Sequence, residues 1–166
     1  SSADVRPWLP AKVCAMPRFH LDAELLIDRP LDQVRAFFAD ADSPVRWDRS
    51  VSKVICTSPF AVGAKFVTIG PSRHGREGKR SEYQVIAVGD DESQVQLVNS
   101  PLFKSAVWTM RLAAKGRGTS VTCAMDMSTD WLRAPLGMLL NLNAKDIATN
   151  LQFLKRAVEN GEVAKR

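Results

Sequence analysis

The chain has 166 residues, a length typical of one domain with a buried core. Apolar residues make up 45% of it and charged residues 25%, and no run approaches the ~18 to 20 apolar residues that a membrane span needs. We therefore expect a soluble globular protein. The net charge of +5 would suit nucleic acid, but the basic residues are dispersed, so nucleic acid is not the expected partner.

The first 17 residues contain Pro7, Pro10 and Pro17 and no apolar segment long enough for a signal peptide. We expect them to form an irregular arm. The three cysteines are widely spaced, odd in number and form no CxxC pair, which predicts neither a zinc site nor a closed disulfide framework. A reducing cytoplasm is the expected location.

The predicted elements begin with a strand at 19–28, where apolar and polar residues alternate. Pro30 is well placed to open a helix over 31–42, whose apolar residues share one face. A second short helical turn around Trp47 is expected to lead into another strand. The first third of the chain is thus predicted as strand, two short helices and strand.

Strands dominate the middle of the chain. Three short runs rich in β-forming residues come first, separated by Gly, Pro and Asp. Two longer alternating strands follow, joined by a glycine-containing tight turn, and one face of this pair is apolar. These five predicted strands lie at 61–71, 79–90, 93–101, 105–114 and 119–128.

The last third predicts a single long helix. Apolar residues step by three or four from Leu136 to Val158, with Pro135 near the start of the run and Gly161 just after it. A helix over about 135–160 would be ~39 Å long, enough to cross a small sheet. Core filling above a flat sheet does not account for that length, so we expect an apolar cavity beneath the helix.

This order of elements resembles the helix-grip fold of the START/Bet v1-like (SRPBCC) superfamily over about residues 18–160. The resemblance rests on the segment around Trp47 and Val54, on Gly63 before the third strand, and on 107–128 leading into 140–159. The last two segments are most similar to the polyketide cyclase/dehydrase-like group, which includes the aromatase/cyclases of bacterial aromatic polyketide pathways.

The resemblance implies an α+β fold. A curved antiparallel seven-stranded sheet, two short helices and a long C-terminal helix over a cavity are expected. The helix-grip domain would then occupy 18–160, between the irregular arm at 1–17 and a C-terminal tail at 161–166.

Proteins of this fold hold a hydrophobic molecule between the concave side of the sheet and the long helix. Alternation along the strands places several large apolar residues on that side, and methionine adapts to irregular ligand shapes. Ordinary core packing is the alternative for each of them. The expected ligand-binding residues are Trp47, Phe66, Val85, Leu97, Asn99, Trp108, Met110, Met125, Met127, Leu139 and Asn143.

Few side chains are candidates for proton transfer or for polarising a carbonyl group. They are Tyr83, the only tyrosine, Arg80, and His74 in a loop rich in glycine and arginine. Tetracenomycin-type aromatases use an arginine and a tyrosine in the pocket, and in this chain Gln84 and Val54 stand closest to those positions. Paired carboxylates, metal-ligand clusters and phosphate-binding loops are not found in the sequence.

Three functions follow from these patterns. The resemblance implies that the chain binds a polyketide-derived or polycyclic aromatic molecule and promotes its cyclisation or aromatisation in antibiotic biosynthesis. No metal or cofactor is implied, and a polyketide synthase carrier protein is a candidate partner.

The scarcity of inward ionisable groups favours a non-catalytic carrier or sensor of a lipid or quinone. The basic stretch 73–80 suggests an RNA-binding or ribosome-binding module, and both a monomer and a homodimer are compatible with the sequence.

Overall fold

The computed structural model describes residues 16–101, 103–130 and 144–161, together with Leu132 and Pro135. This part of the chain contains one sheet and three helices. The strands are β1 (Arg18–Ile27), β2 (Lys53–Cys56), β3 (Lys65–Ile69), β4 (Arg80–Val88), β5 (Glu92–Val98), β6 (Ser105–Lys115) and β7 (Gly118–Ser128). The helices are α1 (Leu31–Ala39), α2 (Ser43–Trp47) and α3 (Ala144–Asn160).

The seven strands form an antiparallel sheet in the order β1-β7-β6-β5-β4-β3-β2. β1 and β2 are consecutive in the chain but occupy opposite edges of the sheet. The connection through α1 and α2 therefore has to cross one face, and α1 contacts β6 and β7 while α2 contacts α3 and β2. This face, covered by the helices, is called the inner face below, and the opposite one is the outer face.

Strand register decides which residues belong to the inner face, because directly paired residues point to the same side of a sheet. Leu21 pairs with Met125, and Met125 pairs with Trp108 on the next strand. Further along, Leu97 pairs with Tyr83. The inner face is therefore apolar across the sheet, as the alternation predicts.

Helix α3 covers only one side of the inner face. Its buried residues Ile147, Leu151 and Leu154 lie at intervals of four and three, which places them on one stripe of the helix. This stripe packs over β1, against Leu21 and Ile27 among others. The predicted helix is thus present from Ala144, while residues 136–143 of the predicted range lie outside the described part of the chain.

A cluster of polar contacts holds the C-terminal end of α3 to the turn after β1. Lys155 donates to the backbone oxygen of Leu26 at 2.8 Å and pairs with Glu159 at 2.6 Å. The Glu159 carboxylate also accepts the backbone N–H of Asp28 at 2.7 Å, and the Arg29 guanidinium donates to the Glu159 backbone oxygen. These contacts fix where the helix ends above the sheet.

The basic stretch between β3 and β4 is an exposed loop, as the sequence suggests, and it closes in a tight two-residue turn. Arg73 and Arg76 exchange backbone hydrogen bonds at 3.0 and 3.1 Å. His74 and Gly75 between them both have positive φ, at 51° and 72°, as a two-residue type I′ turn requires. All four residues are exposed, so the hairpin tip projects away from the sheet.

Cys56 and Cys123 are both free thiols. Cys123 lies in the core beneath α3, and burial, together with the negative charge of Asp48, raises its pKa to about 12.

Among the described residues, no helix is both long enough and apolar enough to cross a membrane.

Replacing Glu159 tests the contacts at the end of α3. Burial alone would raise the pKa of Glu159, but hydrogen bonds from Lys155 and Asp28 and the nearby positive charges lower it below the ordinary value of 4.5. We expect Glu159→Gln to reduce the free energy of unfolding by about 1 to 2 kcal/mol at neutral pH. The deficit should shrink as the pH falls through the lowered pKa, because the wild type then loses the same carboxylate.

Urea denaturation at neutral and acidic pH measures both effects. Glu92→Gln is a matched control, since Glu92 pairs with Arg111 at the exposed surface, where an ion pair contributes little. A deficit that is equal at both pH values would show that the Glu159 charge does not contribute to folding.

The Cys123 thiol should resist alkylation in the folded protein, because the thiolate is the nucleophile and its formation is suppressed. We expect iodoacetamide at mildly alkaline pH to modify Cys123 at least about a hundredfold more slowly in native protein than in urea. Mass spectrometry of the modified peptides measures this, with the half-buried Cys56 as the internal reference. Equal labelling of Cys123 in both states would contradict its placement in the core.

Candidate functional site

The inner face is buried unevenly. Beneath α3, Val121, Cys123 and Met127 are almost completely buried. Toward β3 to β6, the apolar inner-face residues Leu97 and Trp108 are only half-buried. This half-buried apolar surface of the covered face, whose residues Leu97 and Trp108 also pack against the core cluster, is the candidate site.

Aromatic rings line the far side of this surface. Phe66 on β3 stacks on Tyr83 on β4, with ring centres 5.3 Å apart and planes inclined by 15°, and Phe60 lies 6.1 Å from Phe66. None of the three rings is among the described residues that pack against the core cluster beneath α3. This aromatic group is therefore separate from the core cluster.

Helices α1 and α2 bring a second aromatic group to the same face. The rings of Phe37 and Phe38 are 5.6 Å apart, and those of Phe38 and Trp47 are 6.5 Å apart, both edge to face. Trp47 is the last residue of α2. Its indole Nε1–H is buried, and it is the one buried side-chain polar atom of the described residues without a hydrogen-bond partner.

The next residue, Asp48, places a carboxylate at the site. Its Oδ1 accepts from the Ser50 backbone N–H at 2.8 Å, from the Ser50 hydroxyl at 2.6 Å and from Asn150 of α3 at 3.2 Å. The charge of Asp48 acts on both Tyr83 and Cys123, which are inner-face residues of β4 and β7. Asp48 therefore lies between α3 and the sheet.

Sequence reasoning missed Asp48 as a functional candidate. An Asp that ends a helix two residues before a Ser is typical of a local turn, and the Asp48 to Ser50 hydrogen bonds are of that kind. Only the position of α2 across the sheet, which brings Asn150 and Tyr83 close to it, gives the carboxylate a further role. No local signal in the sequence marks that position.

Tyr83 is held as a protonated phenol. Burial is the main reason that its pKa is raised, and the negative charge of Asp48 adds to it. Hydrogen bonding with the side chains of Thr68 and Ser81 acts in the opposite direction but does not cancel the increase. A phenol is protonated at neutral pH even at its ordinary pKa of 10, so the Tyr83 hydroxyl is a hydrogen-bond donor in that range.

The other two predicted catalytic residues do not join Tyr83. Arg80 is three positions away on the same strand, so alternation places it on the outer face, where it pairs with Ile69 and is exposed. His74 is exposed at the tip of the β3–β4 hairpin. Of the three candidates, the structure places only Tyr83 on the inner face.

Most of the predicted ligand-binding residues lie on the inner face, and Asn99 is the exception. It follows the end of β5 with a φ of 56° and is exposed, so its amide is not the inward, partner-seeking group expected from alternation. Leu139 and Asn143 lie outside the described residues. The strand residues that share the inner face are Phe66, Val85, Leu97, Trp108, Met110, Met125 and Met127.

The outer face carries a different feature, a groove of about 470 Å³ at the start of β1. In it, His20 lies 2.6 Å from Asp126, and this hydrogen bond is the main cause of the raised pKa of His20. Both side chains are exposed and the groove is open to solvent.

The described residues contain no cluster of His, Cys, Asp or Glu that could hold a metal ion.

No family model and no curated protein matches this chain. Solved structures do. The di-domain ARO/CYC StfQ of the steffimycin biosynthetic pathway superposes with a TM-score of 0.69 at 12% identity, covering 87% of this chain and 51% of StfQ. This chain thus spans about half the length of that protein.

Two other similar structures match over nearly their whole length. Norcoclaurine synthase from Thalictrum flavum, in complex with dopamine and hydroxybenzaldehyde, has a TM-score of 0.63 at 12% identity, covering 93% of this chain and 98% of the synthase. Ara h 8.0201 has a TM-score of 0.64 at 9% identity, covering 86% of this chain and 98% of its own. Identities this low establish the fold alone. The chain has the Bet v1-like helix-grip fold, which confirms the prediction from the order of its elements.

Proposed function

We propose that this chain binds a hydrophobic aromatic molecule, polyketide-derived or polycyclic, between the inner face and α3, and promotes its cyclisation or aromatisation. The observation that carries the proposal is the half-buried apolar surface of the covered face, which also carries two aromatic groups. A ligand that removes such half-buried apolar residues from water lowers the free energy of the complex. Flat aromatic ligands can stack on the ring faces and edges that these groups present.

The similar structures support this chemistry. StfQ is an ARO/CYC of a biosynthetic pathway, and the norcoclaurine synthase structure contains two small aromatic molecules. The sequence identity to either protein is too low for its activity to be assigned to this chain. The support comes from the shared fold and from the inner-face residues of this chain.

Tyr83 is the residue to which we assign the chemical role. A cyclisation of a poly-β-keto chain develops negative charge on a carbonyl oxygen, and a hydrogen bond to that oxygen stabilises it. Tyr83 is an inner-face phenol, which is protonated at neutral pH and can donate a hydrogen bond. Stacking on Phe66 fixes the direction of the ring.

A non-catalytic carrier of a hydrophobic ligand is the second candidate. The exposed positions of Arg80 and His74 favour it, because they leave the described inner face with few groups for proton transfer. Binding without turnover would then be the whole function. The two candidates differ in whether the protein changes the products of a polyketide synthase.

Filling the site tests the binding proposal. Leu97 is a half-buried inner-face residue of β5, and Leu97→Trp would occupy space beside Tyr83. We expect this variant to weaken the binding of an aromatic probe such as anthraquinone by at least about tenfold. Titration calorimetry or fluorescence quenching measures the dissociation constant.

Gln96→Trp is the matched control. Gln96 is the preceding residue of the same strand, and it points to the outer face with Gln84 and Val107. Its replacement adds the same bulk to the opposite side of the sheet, so probe affinity should stay within about twofold of the wild type. Equal weakening by the two variants would place the binding site elsewhere.

Replacing the phenol tests the chemical proposal. We expect Tyr83→Phe to retain probe binding and to lower the yield of cyclised product from a minimal polyketide synthase about tenfold or more, because one hydrogen bond to the developing oxyanion is lost. Chromatography of the product mixture measures the yield.

Arg80→Ala is the control for this experiment, since Arg80 lies on the outer face and should leave the product mixture unchanged. A wild-type protein that binds aromatic probes without altering the products would support the carrier and refute the cyclase.

A further inference from the structure

The β3–β4 hairpin carries most of the excess positive charge of the chain. Residues 73–80 contain four basic side chains, Arg73, Arg76, Lys79 and Arg80, and one acidic side chain, Glu77. Their net charge of +3 compares with +5 for all 166 residues. All five are exposed, and none forms an ion pair with another described residue. The hairpin is thus a compact positive surface.

Two of the arginines lie side by side at the tip. Arg73 and Arg76 exchange two backbone hydrogen bonds in an antiparallel bridge. Residues paired in this way have Cα atoms about 5.5 Å apart, and their side chains leave the same side of the ribbon. Like charges in directly opposite positions repel each other. Anionic groups bound by the two guanidinium groups would relieve this repulsion, because guanidinium binds carboxylates and phosphates through paired hydrogen bonds.

The base of the hairpin is ordered by its own backbone. The Gly70 N–H donates to the Lys79 backbone oxygen at 2.8 Å. Gly78 lies so close to Gly70 that a side chain at position 78 would overlap the Gly70 backbone oxygen. Lys53 of β2 stands in one cross-strand row with Arg80 of β4 and adds a further exposed positive charge at the base. The basic side chains therefore extend from a fixed support.

The composition of the hairpin favours a protein as the partner. Residues 72–80 contain no aliphatic, Phe, Tyr or Trp side chain that could insert into a membrane surface, and His74 is the one ring that could stack on a base. Glu77 is exposed among the four cations. The continuous negative charge of a nucleic acid or an anionic membrane would repel it. A protein surface can instead place a basic side chain opposite Glu77.

We propose that the β3–β4 hairpin docks a partner protein that presents an acidic segment, with carboxylates bound by Arg73 and Arg76 and a basic side chain opposite Glu77. Complementary charges of this kind select the partner and speed association, and their effect weakens as salt rises. The hairpin lies apart from the candidate site on the inner face. The proposal therefore stands or falls independently of the proposed ligand-binding function.

Three anionic probes test the proposal on the whole chain: an acidic peptide with a lysine among its glutamates, an oligouridylate of the same net charge, and vesicles of phosphatidylcholine and phosphatidylserine. We expect the peptide to bind at least about threefold more tightly than the oligouridylate, and the vesicles to bind more weakly than either. Fluorescence anisotropy of the labelled peptide and oligouridylate and sedimentation with the vesicles measure this. Absence of peptide binding would overturn the docking surface, and tighter binding of the oligouridylate or the vesicles would overturn the choice of a protein.

Replacing both tip arginines locates the contact. We expect Arg73→Gln combined with Arg76→Gln to weaken the peptide at least about tenfold. Lys115→Gln combined with Arg117→Gln is the matched control, because it removes the same charge from an exposed tight turn at the opposite end of the sheet. In about 0.1 M salt, where distant charges are screened, it should stay within about twofold of the wild type. Equal weakening by the two double variants would overturn the assignment to the hairpin.

Glu77→Gln tests the kind of partner. Loss of the carboxylate removes its repulsion toward both probes, but it also removes the ion pair with the lysine of the peptide. We therefore expect the preference for the peptide over the oligouridylate to fall by about threefold. An unchanged preference would show that Glu77 does not select between these partners, which contradicts the inferred basic side chain opposite it.

Discussion

The structure depends on a mismatch of widths between its main helix and its sheet. A helix is about 10 Å across, whereas seven strands spaced by about 4.8 Å form a sheet close to 30 Å wide. Helix α3 therefore packs over β1, and toward β3 to β6 the inner-face residues Phe66, Leu97 and Trp108 stay half-buried, although Val85 is buried. The opposite-edge positions of β1 and β2 force α1 and α2 across the same face, to which they add the aromatic group Phe37, Phe38 and Trp47. Among the described residues, the candidate site is the part of this face where Leu97 and Trp108 remain half-buried.

The electrostatics of the site follow from the same arrangement. Asp48 ends α2 at a point where Asn150 of α3 and Tyr83 of β4 approach it, so one carboxylate is shared by three elements. Burial and, to a smaller extent, its charge raise the pKa of the Tyr83 phenol and of the Cys123 thiol. The inner face is thus a place for hydrogen-bond donors and uncharged ligands, while the exposed arginines of the β3–β4 hairpin lie apart from it.

Sequence patterns were informative wherever function depends on the period of a single strand or helix. Alternation placed Phe66, Leu97, Trp108 and Met125 on one face, and the structure has them there. The same rule separates Arg80 from Tyr83 along β4, because the two residues are an odd number of positions apart. The prediction for Asn99 was wrong because β5 ends at Val98, one residue before it, and Asn99 itself has a left-handed backbone conformation. The Asn-Ser-Pro sequence indicates that the strand ends here, but it does not show at which residue.

The sequence by itself determined the order of the elements, the apolar stripe of α3 and the side of each strand that faces inward. These properties are local, since they follow from the repeat of one element. Only the tertiary structure decided which inner-face residues stay half-buried and which polar groups meet there. The Asp48 carboxylate approaches Asn150 and Tyr83 only because α2 lies against α3 and the sheet. Burial and unsatisfied hydrogen bonds are properties of packed surroundings, and no single segment encodes them.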